Sequence, residues 1–306
     1  MLESPQAEAL RVHGKSFHWA RHLLGPVHAE RATRLYAFCR EVDDLADNAS
    51  SKERAVESLS EVMACLDQGL VKAPWLLDAM LLFRSTQIAS WVPKALVQGV
   101  LWDLESGIIE DERALLRYCF QVAGTVGIMM SGVLDVSDPR ALPHAVDLGI
   151  GMQMTNIARD VMKDAHLGRR YLPGNWVGDL DPLVIKEDNG EHVEILKAAV
   201  VRLLSLAEDY YQSGIQGLSY LPGSARLSIL VAARVYREIG LEILSRDGDS
   251  LSESVYVPNL RKTQLTAMAL LNPLGDIHFW RPSKGHDRRL HEEGLGDFPL
   301  GQGLLL

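Results

Sequence analysis

Apolar residues along most of this chain recur at spacings of three and four, the period of a helix with one buried face, and rarely in the strict alternation of a strand. The pattern predicts helices over 16–24 and 27–48, separated by Gly25 and Pro26. Ser50 and Glu53 have the spacing of a capping box, which predicts a further helix ending near Gly69. Pro74 and Pro93 stand where new helices can start, because a proline in the first turn gives up only an amide that lacks a helical partner. The stretch 111–134 is strongly apolar yet holds Gly124, Gly127 and Gly132. Each glycine costs a helix about 1 kcal/mol relative to alanine, so three of them predict close packing or a bend that leaves room for a ligand. Pro143 opens the next helix, long helices follow over 191–213 and 224–246, parted by Leu221-Pro-Gly223, and a last one lies near 259–272. Val255-Tyr-Val257 is strand-like but too short for a sheet. From Pro273 the helical period is lost, so the expected organisation is an all-α domain over 1–272 and an irregular tail over 273–306.

Composition adds bounds. At 306 residues, 47% hydrophobic and 23% charged, the chain has material for one large core. A net charge of −9 argues against nucleic acid as a partner and against electrostatic attachment to anionic lipid. A phosphate-bearing ligand would therefore need local neutralisation. Cys39, Cys65 and Cys119 are odd in number and lack the close spacing of a zinc site, which points to a reduced chain in the cytoplasm, with Cys39 a small buried residue. The N-terminal residues lack the pattern of a signal peptide, and no run reaches the roughly 18 apolar residues of a membrane span, so any membrane contact is expected to be peripheral.

Two segments carry the candidate chemistry. In Tyr36-Ala-Phe-Cys-Arg-Glu-Val-Asp-Asp-Leu-Ala-Asp47, residues Tyr36, Arg40, Asp43 and Asp47 share a helical stripe roughly 60° wide, as do Asn156, Asp160 and Asp164 in Gln153-Met-Thr-Asn-Ile-Ala-Arg-Asp-Val-Met-Lys-Asp164. An i,i+4 aspartate pair repels itself, and most such pairs are solvated faces. These two sit in helices otherwise built from residues such as Phe38, Val42, Ile150, Met154 and Ile157, where carboxylates must be paired or hold metal. Mg²⁺, which takes one or two carboxylates per ion and leaves other positions to water and phosphate oxygens, fits best. Arg40, Arg159 and Arg169 or Arg170 read either as ion-pair partners of these aspartates or as diphosphate binders. Tyr118, Val122, Thr125 and Met129 form a stripe that reads either as core or as the wall of an apolar cavity, and Tyr236 has the same two readings.

Together with His13-Gly-Lys-Ser-Phe17, Tyr118-Cys-Phe-Gln-Val-Ala-Gly-Thr-Val-Gly127, Gly168-Arg-Arg-Tyr-Leu-Pro173 and Ala233-Arg-Val-Tyr-Arg-Glu-Ile239, the two aspartate motifs resemble the squalene and phytoene synthases over roughly residues 10–272. The resemblance implies a single-domain isoprenoid-synthase bundle around a central cavity. It also implies head-to-head joining of two prenyl diphosphates through a cyclopropylcarbinyl diphosphate, with phytoene from geranylgeranyl diphosphate the leading product. The alternatives are a farnesyl diphosphate-using dehydrosqualene, presqualene diphosphate or squalene synthase, and a non-catalytic relative acting in binding or assembly.

By the same resemblance Asp43, Asp47, Asp160 and Asp164, with Asn156, are metal ligands, the metal being Mg²⁺ or Mn²⁺. Those aspartates, Tyr118 and Arg40 carry catalysis; Lys15, Ser16, Phe17, Tyr36, Val122, Gly127, Gln153, Asn156, Arg159, Arg169 and Tyr236 contact substrate. No nicotinamide cofactor is expected, because no Gly-x-Gly-x-x-Gly fingerprint or strand-helix alternation is present. Ser254 stands where relatives carry an arginine, and Lys163 where many carry an acid. Gly127→Leu is expected to shorten the cavity.

Overall fold

The computed structural model describes residues 23–69, 71, 73–252, 255–271, 279–281 and 285–304. Helices α1 (Pro26–Asp47), α2 (Lys52–Gln68), α3 (Pro74–Ser85) and α4 (Trp91–Glu105) lead to α5 (Glu112–Val133) and the 26-residue α6 (Ala141–His166). The short α7 (Gly174–Val177) and α8 (Pro182–Lys186) precede α9 (Val193–Gln216), α10 (Gly223–Leu244) and α11 (Asn259–Leu271). Among the described residues the only β pairing is two isolated bridges, Ile88 with Leu304 and Ile108 with Arg170, so the fold is all-α. The predicted boundaries hold within a few residues, except that the helix expected over 16–24 lies almost wholly outside the described residues. The capping serine is Ser51, whose hydroxyl accepts from the Arg54 amide; Ser50 precedes it. At the other end Gly69 closes α2 at φ +73°, a left-handed value that glycine adopts without steric cost.

Helix α6 is the axle. It packs against α9 along much of its length and also against α5 and α10. The seam with α9 is built on a three-four repeat, Leu196, Ala199, Val200, Leu203, Leu204, Ala207 and Tyr211, all buried. Against α5 the backbones touch more closely. A Cβ at Gly127 would lie 2.1 Å from the Ala145 carbonyl oxygen, and one at Gly149 would lie 2.3 Å from that of Ala123. Only glycine permits that approach, which answers the expectation raised by the glycines of 111–134. Residues Phe120–Gly124 form a π-helical turn inside α5. Such a turn inserts about one extra residue and rotates the following face by roughly 100°.

Among its described residues the tail holds the single-turn α12 (Arg289–Glu292) and a 3₁₀ turn at Leu300–Gln302. It docks on the bundle. Phe298 packs on Phe120, Tyr210 donates to the Leu290 carbonyl, and Trp91 donates to that of Gln302. The stretch Glu112–Val133 is long and apolar enough to cross a membrane, but most of its apolar window is buried inside the bundle.

Candidate active site

A cavity of about 350 Å³ opens between α1, α5, α6, α9 and α10. Its polar mouth carries Gln153, Asn156, Tyr36 and Tyr236; farther in, Val126, Met130, Leu134, Ala141, Leu148, Leu218 and Leu221 make an apolar wall. Along α6 the lining runs from Asn156 to Ala141, a depth of roughly 22 Å at 1.5 Å per residue. Val122 and Gly127 line it as expected, but Thr125 and Met129 turn into the core, and Val126, Met130 and Leu134 face the cavity instead. The π turn is the reason: it advances the exposed face of α5 by about one residue beyond Phe120–Gly124. Cys39, expected in the core, lines the cavity too.

Gly127→Leu is corrected as a probe. The added side chain would meet the Ala145 backbone before reaching the cavity, so it would push α5 and α6 apart.

The carboxylates do not line the cavity; Asp43 and Asp160 lie one turn beyond the lining residues Cys39 and Asn156 at its polar end. Asp43 is pushed up to about 7, chiefly because the concave wall displaces much of its surrounding water and then because Asp47 stands beside it; Arg40 opposes both. Asp43 is exposed at the surface, so water screens its carboxylate and the rise is smaller than full burial would give. Asp164 is raised to about 7 as well, by burial first and the Asp160 charge second, with Lys163 and Arg169 opposing. A carboxylate that sequence reasoning missed, Asp103 on α4, adds its charge to both neighbourhoods. Its own pKa is raised, burial outweighing hydrogen bonds donated by Tyr171 (2.6 Å) and Tyr118 (3.2 Å). Tyr118 and Tyr171 stack at 4.8 Å, with Trp102 on the far side of Tyr118. Tyr118 thus belongs to an aromatic group around Asp103 and not to the cavity lining. The burial argument that singled out the two motifs applies equally to Asp103 in Leu101-Trp-Asp-Leu104, and that is the signal that was available.

The arginines divide. Arg40 grips Asp44, one turn on, with an Nε contact of 3.0 Å. Arg159 holds Asp160, where the α6 backbone leaves helical geometry at φ −106°, ψ 16°. Arg169 stands loosely between Asp47 (3.7 Å) and Asp103 (3.8 Å), so it ties the first motif to α4 without a short hydrogen bond to either. Its neighbour Arg170 is buried and donates to the Ile109 and Leu172 carbonyls, a role in holding the loop. Gln153 and Asn156 hydrogen-bond each other at 3.3 Å. Lys163 is exposed, and its charge acts on Asp164. Lys15, Ser16, Phe17 and Ser254 lie outside the described residues.

The donor set here is all oxygen and crowded; Arg40 is committed to Asp44, outside that set, while Arg159 is paired with Asp160 within it and would have to release that carboxylate to a cation. That is the environment a hard divalent cation such as Mg²⁺ suits.

Comparison with known proteins agrees with this arrangement. Residues 10–261 match the family model for squalene/phytoene synthase. The chain is 36% identical over 248 residues to a 15-cis-phytoene synthase of Paracoccus sp., covering 77% of this chain and 80% of that one. To a phytoene synthase of Rhodobacter capsulatus it is 31% identical over 271 residues, covering 87% and 80%. A dehydrosqualene synthase crystallised with a ligand superposes with a TM-score of 0.75 at 26% identity, over 89% of this chain and 96% of that one. With aspartates of two facing motifs one turn beyond the lining at the polar end of an apolar cavity, and with matches of this extent, the chain belongs to the squalene/phytoene synthase family.

Proposed function

We propose that this protein is a Mg²⁺-dependent prenyltransferase that joins two geranylgeranyl diphosphates head to head, through a cyclopropylcarbinyl diphosphate, to give phytoene for carotenoid synthesis. The observation that carries the reading is the junction of both aspartate motifs through Asp103 and Arg169 at the polar end of a deep apolar cavity. The phytoene synthases at 31–36% identity favour the longer substrate.

Asp43, Asp47, Asp160 and Asp164, with Asn156 beside them, would hold Mg²⁺, which when bound neutralises charge on the departing pyrophosphate. The chain's own groups do the rest. Arg169, held only by contacts of 3.7 and 3.8 Å, turns its guanidinium onto a diphosphate at little cost. Asp44 and Asp160 orient Arg40 and Arg159 toward the same end. Tyr36 and Tyr236 close the mouth above the tail. Tyr118 and Tyr171, stacked on each other and donating to Asp103, hold that carboxylate in place beside the aspartate motifs. The apolar wall keeps water from the allylic cation. Overall, one C20 allylic cation is captured by the double bond of the second diphosphate with loss of a proton, and the resulting cyclopropylcarbinyl diphosphate ionises, rearranges and loses a second proton. Two pyrophosphates and two protons therefore leave with no net oxidation or reduction. No nicotinamide is then required. Lys15, Ser16 and Phe17 complete the diphosphate and substrate contacts, on the strength of their family motif. The enzyme is cytoplasmic, and a hydrophobic product leaves through peripheral contact with a membrane.

Incubating purified protein with Mg²⁺ and geranylgeranyl diphosphate should yield phytoene. Hydrocarbon formed from farnesyl diphosphate alone would transfer the reading to the shorter series, which the likeness to a dehydrosqualene synthase also accommodates.

A further inference from the structure

At the far end of α6 from the aspartate motif a second cluster forms. Asp147 is fully buried, and each of its carboxylate oxygens meets one imidazole: Oδ2 the His286 Nε2 at 2.8 Å, Oδ1 the His291 Nε2 at 2.6 Å. One donor atom from each residue lies within 4.8 Å of the other two. We infer that Asp147, His286 and His291 form a binding site for a borderline transition-metal ion of the zinc class, which fastens the C-terminal tail to the floor of the bundle.

Three features carry this. The donors are two imidazole nitrogens and one carboxylate oxygen, a set that suits Zn²⁺ or Co²⁺ and not the all-oxygen preference of Mg²⁺. They converge from segments 139 and 144 residues apart in sequence, so no local turn accounts for the meeting. A supporting shell is also in place. The Ser213 hydroxyl donates to Asp147 Oδ2, and the His144 ring, through Nδ1, bonds the Ser213 carbonyl at 2.8 Å. Ligating carboxylates are held in this way in known metal centres. Ligands about 2.0–2.1 Å from a tetrahedral ion sit roughly 3.3 Å apart, so each imidazole nitrogen would give up its hydrogen bond to Asp147 and withdraw by roughly 0.5–0.7 Å. A fourth position is left for water.

This site is separate from the diphosphate end. Asp160 lies thirteen positions along α6 from Asp147, roughly 20 Å. Two of its three donors lie beyond residue 261, where the family match stops. It reaches the cavity through His144, which lines the deep wall and lies edge-on to His286 with ring centroids 5.3 Å apart. Metal at Asp147 would thus fix both the tail and the closed end of the cavity.

The test uses untagged, full-length protein stripped with chelator and then titrated with Co²⁺ and, separately, Zn²⁺. Asp43→Asn serves as the background that disables the diphosphate end. The expected results are intense visible ligand-field bands of a tetrahedral or five-coordinate Co²⁺ site that saturate at one Co²⁺ per chain, apart from the weak octahedral bands of any Co²⁺ at the aspartates, a rise of several degrees in melting temperature with Zn²⁺, and retention of both in Asp43→Asn. His286→Gln and His291→Gln, each confirmed folded by circular dichroism, should lose both. Zn²⁺ should also slow proteolysis within 285–304. The inference is overturned if the stripped wild type, which needs no substitution to fold, gives neither Co²⁺ bands nor a Zn²⁺ shift; the triad is then a hydrogen-bonded carboxylate. Equal metal responses in the wild type and both histidine variants would overturn it too, because the ion would then bind elsewhere.

Discussion

Replacing Asp164 with asparagine separates the metal-binding role of the mouth from its cost to the fold. In the folded chain Asp164 is raised from 3.8 to about 7, so it keeps a proton that the unfolded chain has already released. Stability from this source is complete below the unfolded value near 3.8 and is lost as pH climbs through about 7. The shift of about 3 units, at about 1.4 kcal/mol each, sets a ceiling near 4 kcal/mol. The group is only partly buried and shares its repulsion with Asp160, so solvent screening brings the expected figure to about 1–2 kcal/mol. In EDTA at pH 8, Asp164→Asn should therefore be more stable than wild type by that amount. At pH 5 the gap should shrink to less than half its size at pH 8, because the folded carboxyl is then protonated while the unfolded one is already mostly ionised, and it should close only below about 3.8. Urea unfolding of both proteins at the two pH values measures it. With Mg²⁺ at pH 8 the order should reverse, since only the wild type gains a ligand. A gap of equal size at both pH values, or a wild type whose metal-free stability is flat between them, would refute the reasoning.

Asp43→Asn and Asp160→Asn should each lower turnover by at least about a hundredfold, the scale of losing one element of charge stabilisation, with circular dichroism unchanged. Gly127→Ala should cost about 1–3 kcal/mol in chemical denaturation, because its Cβ meets the Ala145 carbonyl oxygen; an unaffected protein would show that α5 and α6 are not in backbone contact. Leu221→Trp, on a deep-wall residue beside a loop that can yield, should depress turnover of geranylgeranyl diphosphate more than farnesyl diphosphate, and equal depression would place Leu221 away from the tail.

The helices were legible because their apolar stripes repeat at the helical period: Ala55, Leu59, Val62 and Leu66 on α2 are buried as spaced. The two aspartate faces stood out because charge on an apolar helix demands a partner. What pattern could not supply was register inside α5. A π turn leaves no composition mark, and it moved the cavity face from Thr125 and Met129 to Val126 and Met130. Pairing was partly open, since Arg40 faces more than one acid on its own helix, and the pair that forms is the i,i+4 one with Asp44. Asp103 and Asp147 obey the same rule as the motifs, a lone acid in an apolar helix, and their partners arrive from Tyr171 and from a tail that period alone left without structure.

The most direct measurement of the central claim is the stoichiometry of a single turnover with geranylgeranyl diphosphate and Mg²⁺ in the absence of reductant. The account predicts two pyrophosphates released for each molecule of phytoene formed, and neither product when Mg²⁺ is chelated. Pyrophosphate released with only the monomeric alcohol formed, or hydrocarbon that appears only after NADPH is added, would contradict it.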